Sequence, residues 1–139
     1  MAAGTVTQTW DDWGHIKKWT CAWVGGTTGD VPATTSTKPI QGYLYKLITN
    51  PGATKPSANY DVTMVDPQSF DVLHGAGYNK STSDTECAHV WHTSSTGTTY
   101  TIGASYHHPI VSDKLVFTLS GNTTGFASTG DVILYYGMI

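Results

Sequence analysis

Along residues 15–24 the chain alternates. Trp19, Cys21 and Trp23 fall on one side, and Ile16, Lys18, Thr20, Ala22 and Val24 on the other. Alternation with a period of two marks a β-strand, where successive side chains point to opposite faces. Similar material begins at Gly4, with an interruption expected at Asp11-Asp12. Gly25-Gly26-Thr27-Thr28-Gly29-Asp30 reads as a turn, because glycine reaches positive φ at little cost. Pro32 and Pro39 cannot donate to a ladder, so the Thr- and Ser-rich stretch 31–39 predicts an edge strand or an extended crossing. Residues 40–49 predict a strand with Tyr43, Tyr45 and Leu47 on one face and Leu44, Lys46 and Ile48 on the other. Asn50-Pro51-Gly52 ends it, with Pro setting the first corner and Gly accepting the second.

Alternation resumes at residues 60–66, with Tyr60, Val62 and Met64 inward. Pro67-Gln68-Ser69 then turns the chain into 70–73, which predicts a hairpin. Residues 75–84 are rich in Gly, Ser and Asn and read as a long loop, the segment expected to be most flexible. Further strands are predicted at 86–91, 98–105, 114–120 (Leu115, Phe117 and Leu119 on one face) and 131–136, with a loop over 121–130. Tyr135-Tyr136-Gly137-Met138-Ile139 is too apolar for a free tail and should pack. No linker or internal repeat divides the chain. The expected fold is all-β: one domain over 1–139, a jelly-roll-like β-sandwich of about eight short antiparallel strands.

Composition sharpens that picture. Thr leads the polar residues, Arg is absent and Glu86 is the only glutamate, so there is little material for surface helices. Five Trp, eight Tyr and three Phe in 139 residues supply the large buried areas that a disordered chain lacks. The net charge of −3 comes from ten acids against seven lysines, which are not expected to cluster. Nucleic-acid binding needs a basic footprint, so it is not expected. The longest apolar runs fall far short of the roughly 20 residues of a spanning helix, and no basic amphipathic stretch points to a membrane surface. Met1-Ala2-Ala3-Gly4-Thr5 lacks the basic and apolar regions of a signal peptide, so the protein is expected to remain where it is made. Cys21 and Cys87 are then expected to be two reduced, partly buried thiols.

Candidate chemistry is sparse. His89 and His92 are three apart and His107-His108 are adjacent, so on strands the members of each pair point to opposite faces. One histidine of each pair with Cys87 or Asp113 could hold zinc, but solvent-facing or hydrogen-bonded histidines are the simpler expectation. The aspartates mostly adjoin turn residues, where their side chains cap backbone N–H groups. No pair stands out as a glycosidase acid and base, and no calcium loop is present. Gly103-Ala104-Ser105-Tyr106 falls short of a nucleophile elbow, and no glycine loop for phosphate precedes a helix. Cys87 and His89 share a strand face but lack a third orienting group. The reading is therefore not an enzyme, with no catalytic residue, metal or cofactor expected.

The aromatics remain. Trp10, Trp13, Trp19 and Trp23 fall within fourteen residues. Aromatics on both faces of a strand mean that two surfaces are covered, one by the core and the other by a partner. Trp and Tyr are enriched where interfaces carry their binding energy. Trp10, Trp13, Tyr135 and Tyr136 are the candidate protein-interface residues. Trp10 and Trp13 could equally cover a sheet end.

The segment Leu47-Ile48-Thr49-Asn50-Pro51-Gly52-Ala53-Thr54-Lys55-Pro56-Ser57-Ala58-Asn59-Tyr60-Asp61-Val62-Thr63-Met64-Val65-Asp66, with Phe70-Asp71-Val72-Leu73-His74-Gly75-Ala76-Gly77 after it, resembles small structural proteins of tailed bacteriophages. Ile16-Lys17-Lys18-Trp19-Thr20 and Gly130-Asp131-Val132-Ile133-Leu134-Tyr135-Tyr136 are similar to the ends of that group. The tryptophan-rich start and His107-His108 stand outside the pattern, so no individual contact carries over. The resemblance implies a virion component made in the host cytoplasm. Within the virion it implies first a capsid decoration (cement) protein, a β-sandwich forming homotrimers on the capsid surface and binding the major capsid protein. A tail, baseplate or head-fibre component is the alternative within the virion. A carbohydrate-binding module is the alternative of another class.

Overall fold

The computed structural model describes residues 4–93, 106–123 and 128–138. Among these residues the chain forms eleven strands. They are β1 (Thr5–Asp12), β2 (Ile16–Val24), β3 (Thr34–Thr35), β4 (Ile40–Pro51), β5 (Asp61–Val65), β6 (Glu86–His89), β7 (His92–Thr93), β8 (Tyr106–His107), β9 (Ile110–Asp113), β10 (Val116–Ser120) and β11 (Thr129–Gly137). All pairings are antiparallel. One sheet runs β1-β2-β11-β4-β6, with β9 also on β4; a second runs β3-β10-β5; β7 and β8 pair apart.

The two main sheets enclose one core. Trp19, Trp23, Leu47, Val132 and Leu134 from the large sheet meet Val62, Met64, Phe117 and Leu119 from the small one. Trp23 sets its ring edge against Tyr60 at 6.0 Å and 60°. Burying each such side chain stabilises the fold by roughly 1.5–3 kcal/mol relative to exposure. The fold is an all-β sandwich, as the alternation predicts.

Several expectations hold at residue level. Trp19, Cys21 and Trp23 are buried on one face of β2; Tyr60, Val62 and Met64 face inward; Leu115, Phe117 and Leu119 do likewise around β10. The 31–39 stretch crosses the edge with only β3 in ladder form.

Others are corrected. The break at Asp11-Asp12 lies just beyond, because both aspartates stay in β1, paired with Lys18 and Lys17. The chain turns at Gly14 (φ 83°), whose N–H donates to Asp12 Oδ1 at 2.8 Å. In β4 simple alternation fails: Leu44 and Leu47 are both buried. The register with β11 steps from Tyr135↔Lys46 to Tyr136↔Leu44, so Tyr45 is an extra residue, a β-bulge that switches the inward positions. Residues 70–73 do not form a hairpin strand. Only Asp71 bridges Val65, and turns carry Val72 and Leu73 into the core. The 75–84 loop is tied down at Lys80, which bridges Tyr60, lies buried and pairs with Glu86 at 3.3 Å. The strand predicted at 98–105 lies outside the described residues, and β9 was not foreseen.

Candidate functional site: an aromatic and lysine belt

At one end of the large sheet, strand register lines up side chains from distant parts of the chain. On the outer face the row runs Asp11, Lys18, Tyr135, Lys46 and His89 across β1, β2, β11, β4 and β6. Lys18 Nζ lies 3.4 Å from Asp11 Oδ2 and 5.5 Å from the centre of the Trp13 ring. Lys46 Nζ sits 4.6 Å above the Tyr135 ring. Both ammonium groups thus lie over aromatic faces, whose quadrupole attracts them.

The inner side of the same end forms a cleft of about 290 Å³ lined by Trp10, Asp12, Lys17, Lys38, Pro39 and Tyr136. Trp10 stacks on Trp19 with centroids 5.5 Å apart and 13° between planes, and its Nε1–H donates to Thr37 Oγ1 at 3.1 Å. Lys38 Nζ lies 5.6 Å from the Trp10 ring centre. Asp12 accepts from the Gly14 N–H and from Lys17 Nζ (3.0 Å), which together hold its carboxyl below the usual carboxylate range.

The four candidate interface residues therefore have different situations. Trp13, at the tip of the β1–β2 hairpin, is 61% exposed. Tyr135 is half-buried on the outer face beneath Lys46. Trp10 is half-buried against the core. Tyr136 is only 4% exposed, so burial in the core leaves it little to offer a partner beyond the cleft floor. The lysines, scattered along the chain, are also gathered: Lys17, Lys18, Lys38 and Lys46 all serve this end. Only register could reveal that.

A second aromatic group was not foreseen as a unit. Trp91, 43% exposed, stacks on His108 at 4.5 Å and 19°; His89 lies 5.7 Å from Trp91, and Tyr45 meets His108 edge-on at 5.3 Å. His108 Nδ1 is 3.0 Å from the Val90 carbonyl oxygen. The spacing of His89 and Trp91, two apart within the strand predicted at 86–91, carries the signal, although β6 ends at His89 and Trp91 lies just beyond it.

Cys87 and His89 do share the exposed face of β6, opposite Ile48 and Lys46. Among the described residues no three His, Cys, Asp or Glu side chains converge as metal ligands would. The side chains of His92 and His107, whose backbones pair, lie outside the described set. Cys21 is buried, and burial pushes its thiol up to about 12. Cys87 is exposed and not partly buried as expected. Cys21 points into the core and Cys87 outward on the far strand, so the two thiols do not meet. Among the described residues no helix is long and apolar enough to cross a membrane.

The arrangement offers rigid aromatic rings, engaged lysines and shallow clefts, a surface suited to binding. Comparison with protein-family models, with curated proteins and with solved structures finds no match.

Proposed function

We propose that this chain is a structural virion protein of a tailed bacteriophage, a capsid decoration (cement) protein that binds the major capsid protein on the outside of the shell as a homo-oligomer. The observation that carries the reading is Trp13: a large ring, 61% exposed, held at the tip of a hairpin pinned by Asp12, Gly14 and Lys17. A large ring carried on a pinned turn needs little backbone ordering when a partner covers it, which favours its use as an interface anchor. The charged Asp11, Asp12, Lys17 and Lys18 around it and the lysine-backed Tyr135 suit the rim of such a contact. Many copies on a symmetric shell then add their weak contacts through multivalency. The segments that resemble phage structural proteins include the first half of β2 and most of β11, two of the five strands that build the belt.

The test is binding of purified protein to undecorated shells. Trp13→Ala should weaken it at least about 30-fold, the effect of losing a hot-spot contact of about 2 kcal/mol, while the melting temperature stays unchanged. Undiminished binding would remove the assignment of Trp13. Absence of wild-type binding to any shell would remove the decoration role. Copy number separates the coat from a tail, baseplate or head-fibre place, since hundreds per particle fit only the coat.

Trp91, stacked on His108 and partly open, favours the carbohydrate-binding module as the second reading. Sugars stack on such rings, and titration of tryptophan fluorescence with a glycan panel would show a shift. A flat response dismisses it.

A further inference from the structure

A sheet edge exposes a row of unpaired N–H and C=O groups, and proteins usually blunt it with short strands, proline, charge or a covering loop. Three edges of this sandwich follow that rule. β6, closing one side of the large sheet, is four residues long. β3, at one edge of the small sheet, is two residues long and lies between Pro32 and Pro39. The outer edge of β5 is occupied: Val62 N–H donates to the Gly77 carbonyl (2.7 Å), Met64 N–H to Asp71 Oδ1 (3.1 Å), and Val72 N–H to the Met64 carbonyl (2.9 Å).

β1 is different. It is eight residues long, Thr5-Val6-Thr7-Gln8-Thr9-Trp10-Asp11-Asp12, and pairs with β2 without a register shift. It contains no Pro, Gly or Lys, and β-branched residues fill most of its first half. No described element pairs with its outer edge. The outward groups can be assigned. Trp13 N–H donates to the Ile16 carbonyl, so the pairs that exchange bonds with β2 recur at every second residue, Asp11, Thr9, Thr7 and Thr5. Val6, Gln8 and Trp10 therefore aim their N–H and C=O away from the sheet. Their side chains are held on the inner layer: Gln8 bonds the Thr35 carbonyl, the Thr37 N–H and Trp19 Nε1–H, and Trp10 bonds Thr37.

We propose that the outer edge of β1 is a strand-addition surface for a second copy of this chain, joined antiparallel about a two-fold axis at Gln8. The strand is complementary to itself in that register. Gln8 faces Gln8 of the other copy and Val6 faces Trp10, and these narrow pairs exchange about six backbone hydrogen bonds. On the outer face Thr7 lies opposite Thr9 and Thr5 opposite Asp11, so no like charges meet and threonine pairs, which favour cross-strand contact, form the centre. The acidic Asp11-Asp12 ends fall at opposite extremes of the contact, each already matched by Lys18 and Lys17 of its own chain. The contact closes on two copies and is isologous. It does not rest on the virion role, and it is distinct from any three-fold contact.

Sedimentation equilibrium from micromolar to millimolar concentration should show a reversible dimer. Thr7→Lys with Thr9→Lys puts like charges opposite each other across the axis but only onto exposed positions within one chain. It should raise the dissociation constant at least about tenfold with circular dichroism and melting unchanged. In a Cys87→Ser background, chains carrying Thr7→Cys and chains carrying Thr9→Cys should cross-link when mixed and oxidised, and neither alone. A wild-type monomer throughout that range overturns the proposal. So does a dimer that the lysine pair leaves intact and that yields no cross-link between positions 7 and 9.

Discussion

Asp71 closes the β5 edge, and its removal gives a quantitative test of how the small sheet is held. Its Oδ1 accepts from the Met64 and Leu73 N–H groups at 3.1 Å each, and its Oδ2 from the Gly75 N–H at 3.3 Å. Met64 and Leu73 are fully buried, so water cannot readily replace the carboxylate at their amides. Hydrogen bonds to a charged group contribute roughly 1.5–3 kcal/mol each. Three that share one carboxylate are not additive, and the 3.3 Å bond is the weakest. Asp71→Ala should therefore cost about 3–4 kcal/mol, a large part of the roughly 5–15 kcal/mol of a typical domain. Asp71→Asn keeps an acceptor oxygen without the charge and should cost about half as much. Urea unfolding at pH 7, followed by tryptophan fluorescence, measures both, with the exposed Asp84→Ala as a control expected within about 0.5 kcal/mol of wild type. Hydrogen exchange at the Met64, Leu73 and Gly75 amides locates the loss. A cost below about 1 kcal/mol for Asp71→Ala, with the Met64 and Leu73 amides still protected, would refute this account.

Gly130 pairs with Trp23, and a Cβ there would lie 2.6 Å from Trp23 Cζ2 and 2.8 Å from the Asn50 carbonyl oxygen, so Gly130→Ala should cost about 1–3 kcal/mol or more by urea unfolding. Phe117→Ala, at a wholly buried position facing the large sheet, should cost about 3–5 kcal/mol in the same assay. A thiol reagent at pH 8 should titrate Cys87 alone in the native protein and Cys21 only after denaturant, because burial keeps the Cys21 thiol protonated. Burial raises the Cys21 thiol to about 12 and also raises Tyr60 and Tyr136 above their unfolded values, so the contribution of each to stability is complete below its unfolded value and is lost as pH rises through its folded one. Stability measured from pH 8 upward should fall, and Cys21→Ala should flatten that fall; an unchanged slope would contradict it.

The inward faces of β2, β5 and β10 and the all-β class were legible in the sequence, because alternation is a local consequence of pleated backbone geometry. The aspartate-rich turns were legible for the same reason, as the capping by Asp12 and Asp66 bears out. What escaped depends on partners far along the chain. The bulge at Tyr45 exists because β4 must follow β11, and it moves Leu44 and Leu47 onto one face that no local pattern predicts. The belt exists because register sets Lys18 beside Tyr135 and Tyr135 beside Lys46. Register is a property of pairs of strands and not of any one strand. The sequence by itself determined which residues could lie inside and which segments would turn. Only the tertiary structure decided that Tyr136 would be core while Tyr135 faces out, and that no other described strand would pair with the outer edge of β1, since both follow from which strands the packed sheets bring side by side.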